Sequence, residues 1–150
     1  MILVDANLLI YATTKGMSQH EAAKAWLDAR LSETGPVGIP WPSILAYLRI
    51  VTNPRVFERA LPIADAWQQI NAWLAAECVW IPLPTDEHAT VLGRMLPVAT
   101  NPDLVPDAHL AALAIEHGLT VYSTDGDFAR FPGLNWKNPL NRRADPSASQ

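Results

Sequence analysis

Apolar residues run unbroken from Ile2 to Val4, and after one acid, Asp5, they resume from Leu8 to Tyr11. A run so short and continuous reads as a buried strand over 2–5, with a helix entered directly from it over 6–13. Between 18 and 33, Ala23, Trp26, Leu27 and Leu31 recur at helical period, and Ser18 and Glu21 have capping-box spacing. Gly35 and Pro36 stop that helix. VGIP at 37–40 is a short second strand, and PSILAYLRIVT at 42–52 is a third helix that starts at a proline. Ile63, Trp67, Ile70 and Leu74 predict a fourth helix over 62–77, followed by a strand in VWIPL at 79–83. A fifth helix is expected over 85–96, with Asp86 and Glu87 in its first turn, where the helix dipole favours acids. PDAHLAALAIEHG at 106–118 is a sixth, closed by Gly118, before strands expected in LTVYS at 119–123 and, short, in LNW at 134–136. Short buried strands alternating with helices predict an α/β fold whose mainly parallel sheet is covered by helices on both faces.

Composition narrows the function classes. With 150 residues, 49% of them apolar and 17% charged, the chain fits one globular domain. The polar tail that begins near Arg142 is expected to be flexible, which divides the chain into a domain over 1–142 and a tail over 143–150. No apolar stretch reaches the about 20 residues a membrane span needs, and no basic segment precedes an apolar one as in a signal peptide. A cytoplasmic protein is expected. Cys78, the single cysteine, excludes an internal disulfide and a cysteine-based zinc site. The net charge of -4 gives no overall basic footprint for coating nucleic acid. An acidic site that recruits cations stays compatible with it, because the local field matters more than the total.

The chemistry then rests on acids placed at strand ends. Ligands of open parallel sheets bind beyond the carboxyl ends of the strands. Asp5 ends the first strand, and Asp125 and Asp127 lie just past the fourth. Asp107 sits in the first turn of the sixth helix, on the stripe of Leu110, Ala111 and Ala114 that should face the sheet. Taken singly, Asp5 reads as a helix N-cap, Asp107 as a dipole partner and TDGD as a turn. Taken together, carboxylates converging on one edge repel each other unless a counter-charge joins them. All-oxygen ligands suit Mg²⁺ or Mn²⁺, and such a site serves phosphodiester or phosphomonoester hydrolysis. Asn7 and Ser123 are placed to hold the carboxylates or a water by hydrogen bonds. The four histidines show no metal-ligand spacing and read as surface or cap residues, and no Walker A, G-x-S-x-G or G-x-G-x-x-G pattern occurs. The six tryptophans fall mostly in helix stripes or strands, as core residues do.

With those residues in view, the chain resembles the PIN-domain family, and within it the VapC toxins of type II toxin–antitoxin systems. The likeness runs through ILVDANLLIYA, VPDAHLAALAIEHGLTVYSTDGDFARF and LNWKNPL. It implies a PIN-like α/β/α sandwich in which Asp5, Asp107 and Asp125 hold Mg²⁺ or Mn²⁺ and Asp127 is an auxiliary acid. The implied activity is endoribonucleolytic cleavage by a metal-activated water, leaving a 5′-phosphate and a 3′-hydroxyl. It further implies a homodimer held inactive by a VapB-type antitoxin, with the Trp67 and Trp73 helix available for either contact. Arg130, Lys137, Arg142 and Arg143 are the basic residues nearest the acids in sequence, and so the expected RNA contacts. One departure stands out. The family has a Glu on the third helix, and LAYLRIV puts Tyr47 there, with Arg49 following. Tyr47 is expected to meet a phosphate or a metal-bound water, and Arg49 a phosphate.

Two other readings compete. An impaired PIN domain that binds RNA or a partner without cutting would explain Tyr47. A phosphatase of the haloacid-dehalogenase type also ends its first strand in Asp, but needs an acid two residues on, where Asn7 stands, and a later lysine, where only Lys137 is present.

Overall fold

Ile2–Val4 forms β1, all three side chains buried, at the middle of a five-stranded sheet. The computed structural model describes residues 1–33 and 35–141, so the expected tail over 143–150, Arg142 and Arg143 lie outside the described residues. In chain order α1 (Ala6–Thr13), α2 (His20–Ser32), β2 (Val37–Gly38), α3 (Trp41–Val51), α4 (Ile63–Leu74) and β3 (Val79–Trp80) follow. Then come α5 (His88–Met95), α6 (Val105–His117), β4 (Thr120–Tyr122) and β5 (Asn135–Lys137). The strand order is β3-β2-β1-β4-β5 and every pairing is parallel.

Alternation along β1 assigns its side chains to two cores. Ile2 and Val4 pack with residues of α1 to α4 on one face, and Leu3 packs with α5, α6 and Val121 on the other. The result is the expected three-layer sandwich. From β1 the chain builds to one side through β2 and β3, then returns to add β4 and β5 on the other. The strand order therefore reverses between β1 and β4, and a crevice opens there at their carboxyl ends.

Several element boundaries differ from the expectation, each for a local reason. The capping box of Ser18 and Glu21 does not form. Helix α2 starts at His20 with Gln19 as an uncapped N-cap, and the Ser18 hydroxyl donates instead to Gln19 Oε1 at 3.1 Å. The start is fixed by His20, which is buried with its Nδ1 2.9 Å from the Tyr11 carbonyl. Helix α5 starts at His88, so Asp86 and Glu87 precede its first turn. Thr85 is held by Glu116 through its backbone N–H at 2.9 Å and its hydroxyl at 2.7 Å, which keeps 85–87 in a turn. Strand β3 stops at Trp80 because Pro82 and Pro84 cannot donate to a ladder. The Pro82 ring lies against β2, where a Cβ at Gly38 would come within 2.8 Å of its Cγ, so only glycine fits that position.

Candidate metal centre

Asp5 takes up its place because β1 ends where α1 begins. Its backbone N–H donates to the Tyr122 carbonyl at 3.1 Å, which locks the end of β1 against β4. Its side chain caps α1, Oδ1 accepting the Ala6 N–H at 2.8 Å. Oδ2 accepts the Ser123 hydroxyl at 2.7 Å. Ser123 is fully buried, and its oxygen also accepts from Asn7 Nδ2 and from the Asp125 N–H, each at 3.0 Å. Asn7 Oδ1 in turn accepts the Thr124 N–H at 3.4 Å. One turn of α1 and the first residues after β4 are thus laced together by a single hydroxyl.

The other acids arrive from two further directions. Asp125 caps the 3-10 helix Gly126–Arg130, its Oδ1 accepting the Asp127 N–H at 2.9 Å. Asp107 stands in the first turn of α6, after Pro106, with Leu110, Ala111 and Ala114 of its stripe buried as expected. Asp107, Asp125 and Asp127 each place one carboxylate oxygen within 4.8 Å of the others. Asp5 lies outside that trio, in the same crevice, and its charge acts on Asp107.

Electrostatics show what this crowding does. Burial, and then the charges of Asp125, Asp5 and Asp127, push the Asp107 carboxyl up to about 7. Burial also raises Asp5, opposed by the bonds from Ser123 and Ala6, with Asp125 adding to the rise. Arg130 Nη2 is 3.5 Å from Asp127 Oδ1, and both side chains are roughly half exposed. One solvent-screened guanidinium cannot neutralise four carboxylates. An all-oxygen donor set with excess negative charge fits a hard divalent cation.

The structure therefore brings together Asp5, Asp107, Asp125, Asp127, Asn7 and Ser123, with Arg130 at the rim. Tyr47 is elsewhere, and the expectation that it faces a phosphate or a metal-bound water is corrected. Its ring is fully buried, edge-on to Trp73 at 5.1 Å, and its hydroxyl donates to Thr13 Oγ1 at 3.2 Å. Thr13 ends α1 eight residues beyond Asp5, about 12 Å along the helix at about 1.5 Å per residue. Trp73 is buried against Tyr47, so of the two tryptophans expected at a partner contact only Trp67, 41% exposed, reaches the surface. Arg49 is exposed on α3 and makes no ion pair among the described residues.

A second polar cluster escaped the sequence reading. His88 of α5 bonds through Nδ1 to Glu116 Oε2 and through Nε2 to His109 Nδ1 at 3.0 Å. The Glu116 side chain is 1% exposed. Burial would raise its carboxyl, but bonds from Thr85 and His88 outweigh that and hold it below the usual range. The sequence carried a partial signal, since His109 and Glu116 are seven residues apart on one stripe of α6, with Ala112 and Leu113 between them.

Comparison with known proteins identifies the family and the fold. The PIN domain family model matches residues 2–134. Ribonuclease VapC37 of Mycobacterium tuberculosis is 44% identical over 140 residues, which cover 93% of this chain and 97% of that protein. Among solved structures, VapBC2 from Rickettsia felis, bound to a DNA fragment from its promoter, superposes with a TM-score of 0.67 at 16% identity. That match covers 92% of this chain and 98% of the other. VapC20 of Mycobacterium tuberculosis, a sarcin–ricin loop cleaving toxin, gives 0.63 at 18% identity, covering 90% of this chain and 99% of its own.

Proposed function

From the premise that the chain belongs to the PIN domain family, we propose that it is a divalent-metal-dependent endoribonuclease, the toxin of a type II toxin–antitoxin pair. The observation that carries this reading is the carboxylate trio within 4.8 Å at the point where the strand order reverses, with Asp5 beside it. Asp107, Asp125 and Asp127 would hold Mg²⁺ or Mn²⁺, with Asp5 completing the cradle. When bound, such an ion neutralises phosphate oxygens and lowers the pKa of water.

The chain's own residues do the remaining work. Ser123 and Asn7 keep Asp5 and the start of the Asp125 loop at a fixed separation, so the acids are oriented before substrate arrives. With its carboxyl pushed up to about 7, Asp107 is only part ionised at neutral pH in the metal-free protein, and a bound cation would favour the ionised form. Arg130, at the rim, would take an RNA phosphate once a cation engages Asp127. The phosphatase alternative fails at Asn7, which donates to Ser123 and offers no second acid.

Partners follow from the same reading. A VapB-type antitoxin and a second copy of the chain each need apolar surface. Trp41 and Leu45 on α3, and Ile63 and Trp67 on α4, expose it as i, i+4 stripes. No helix among the described residues is long and apolar enough to cross a membrane, and a ribonuclease acting on cellular RNA would work in the cytoplasm.

The test incubates purified protein with total RNA and Mg²⁺, beside Asp107→Asn and a chelator control. Fragments from the wild type alone, lost with chelator, are expected. RNA bound but left whole by the wild type would favour a binding-only PIN domain, and equal cutting by Asp107→Asn would overturn the site assignment.

A further inference from the structure

The acids occupy one face of the sheet's carboxyl edge, and the opposite face at the same level carries a different set of groups. Tyr122 ends β4, and its carbonyl accepts the Asp5 N–H at 3.1 Å. Val121 packs with α5 and α6, so Tyr122 projects from the other face, where it joins the cluster of α1 to α4. Trp26 of α2 lies on it, ring centroids 5.3 Å apart and planes 26° from parallel. Lys137 is the register partner of Tyr122 on β5 and so projects from that same face. Strand β5 is the sheet edge, and Lys137 is exposed there.

This pair differs from the other aromatic contacts. Tyr47 with Trp73, Trp80 with His117, and His88 with His109 meet edge-on, and Phe128 with Phe131 is tilted. Tyr47 and Phe128 are also fully buried, whereas Trp26 and Tyr122 are each only part buried. An edge-on buried pair is closed. A parallel, part-exposed pair can be extended by one more flat ring, as bases stack on aromatic side chains in single-strand binders.

We propose that the Trp26–Tyr122 stack and Lys137 form a nucleotide subsite for the RNA strand flanking the cut, the base extending the stack and Lys137 meeting the adjacent phosphate. This rests on the ribonuclease reading above. The strand would cross the carboxyl edge between β1 and β5, from the acids on one face to the rings on the other.

Steady-state cleavage of one single-stranded RNA in Mg²⁺ tests it, using wild type, Trp26→Ala, Trp26→Phe and Lys137→Gln. Trp26→Ala should raise KM at least about fivefold with kcat little changed, the lower end of what a lost base stack costs, and Trp26→Phe should restore it. Lys137→Gln should raise KM and flatten its dependence on log salt by about 0.7, one phosphate's share on a single strand. An RNA abasic at the flanking position should raise the wild-type KM to that of Trp26→Ala and add nothing to the variant. If Trp26→Ala fails to fold by circular dichroism, Lys137→Gln and the abasic RNA, which leaves the protein untouched, decide the matter. Wild-type KM for Lys137→Gln and for the abasic RNA, with the wild type cutting, overturns the subsite and leaves the ribonuclease standing. A wild type that cuts no RNA overturns both.

Discussion

Tyr47 shows how one residue can carry a family position and none of its role. Its ring closes the core between α1 and α4, and its hydroxyl is committed to Thr13 at the far end of α1 from Asp5. Restoring an acid there would bury an unpaired carboxylate, not supply a ligand. Tyr47→Glu is expected to cost about 3 kcal/mol or more of stability, read from the urea midpoint at unchanged slope. Calorimetry should find no gain in Mn²⁺ affinity, and a tighter Mn²⁺ site in this variant would put Tyr47 back at the metal. The burial was legible in the sequence. Ile44, Tyr47 and Val51 lie on one helical stripe, and that spacing alone sends Tyr47 inward. The family position pointed the other way, and packing decided between them.

Elements explain what could and could not be read ahead of the structure. Strand β1 and the acid at its end were legible because an apolar run stops abruptly at Asp5, and the α/β alternation then determined which edge the acids share. The start of α5 was not legible, because it depends on Glu116 reaching across from α6 to hold Thr85. Nor was the His88 contact with His109, whose two residues lie 21 positions apart and meet only once α5 packs on α6. These bonds form a clasp between the two helices. His88→Ala should loosen it, leaving Glu116 buried with Thr85 alone, at a cost of about 2 kcal/mol by chemical denaturation. The Glu116 carboxyl is held below its usual value of 4.5, so its contribution is present above that value and is lost as pH falls through the folded one. A His88→Ala variant as stable as the wild type at pH 7 would show the clasp to be incidental.

For the whole molecule, the crowded acids oppose folding whenever they are ionised. Asp107 titrates at about 7 in the folded chain against a usual value of 3.8, so between those values the native state keeps a proton that the unfolded state has released. Stability of the metal-free protein should therefore fall as pH rises from about 4 to 7 and level off above. Asp107→Asn should flatten that slope. Mg²⁺ should raise the melting temperature more at pH 8 than at pH 5, by as much as about 2.7 kcal/mol of stability at a hundredfold excess over its Kd. An unchanging melting temperature between pH 5 and 8 in chelator would mean that the acids do not share a field. The bond between Asp5 and Ser123 has a further consequence, one of timing. Its two partners are 118 residues apart, and Asp107, Asp125 and Asp127, the acids that join Asp5, all come in the last third of the residues described. At about 5–20 residues per second, a ribosome takes about 6 to 24 s to cover that interval. Throughout it the nascent chain has Asp5 but neither β4 nor the loop that carries Asp125 and Asp127. For the proposed ribonuclease, no nascent chain can cut the message that encodes it before Asp125 and Asp127 have been made.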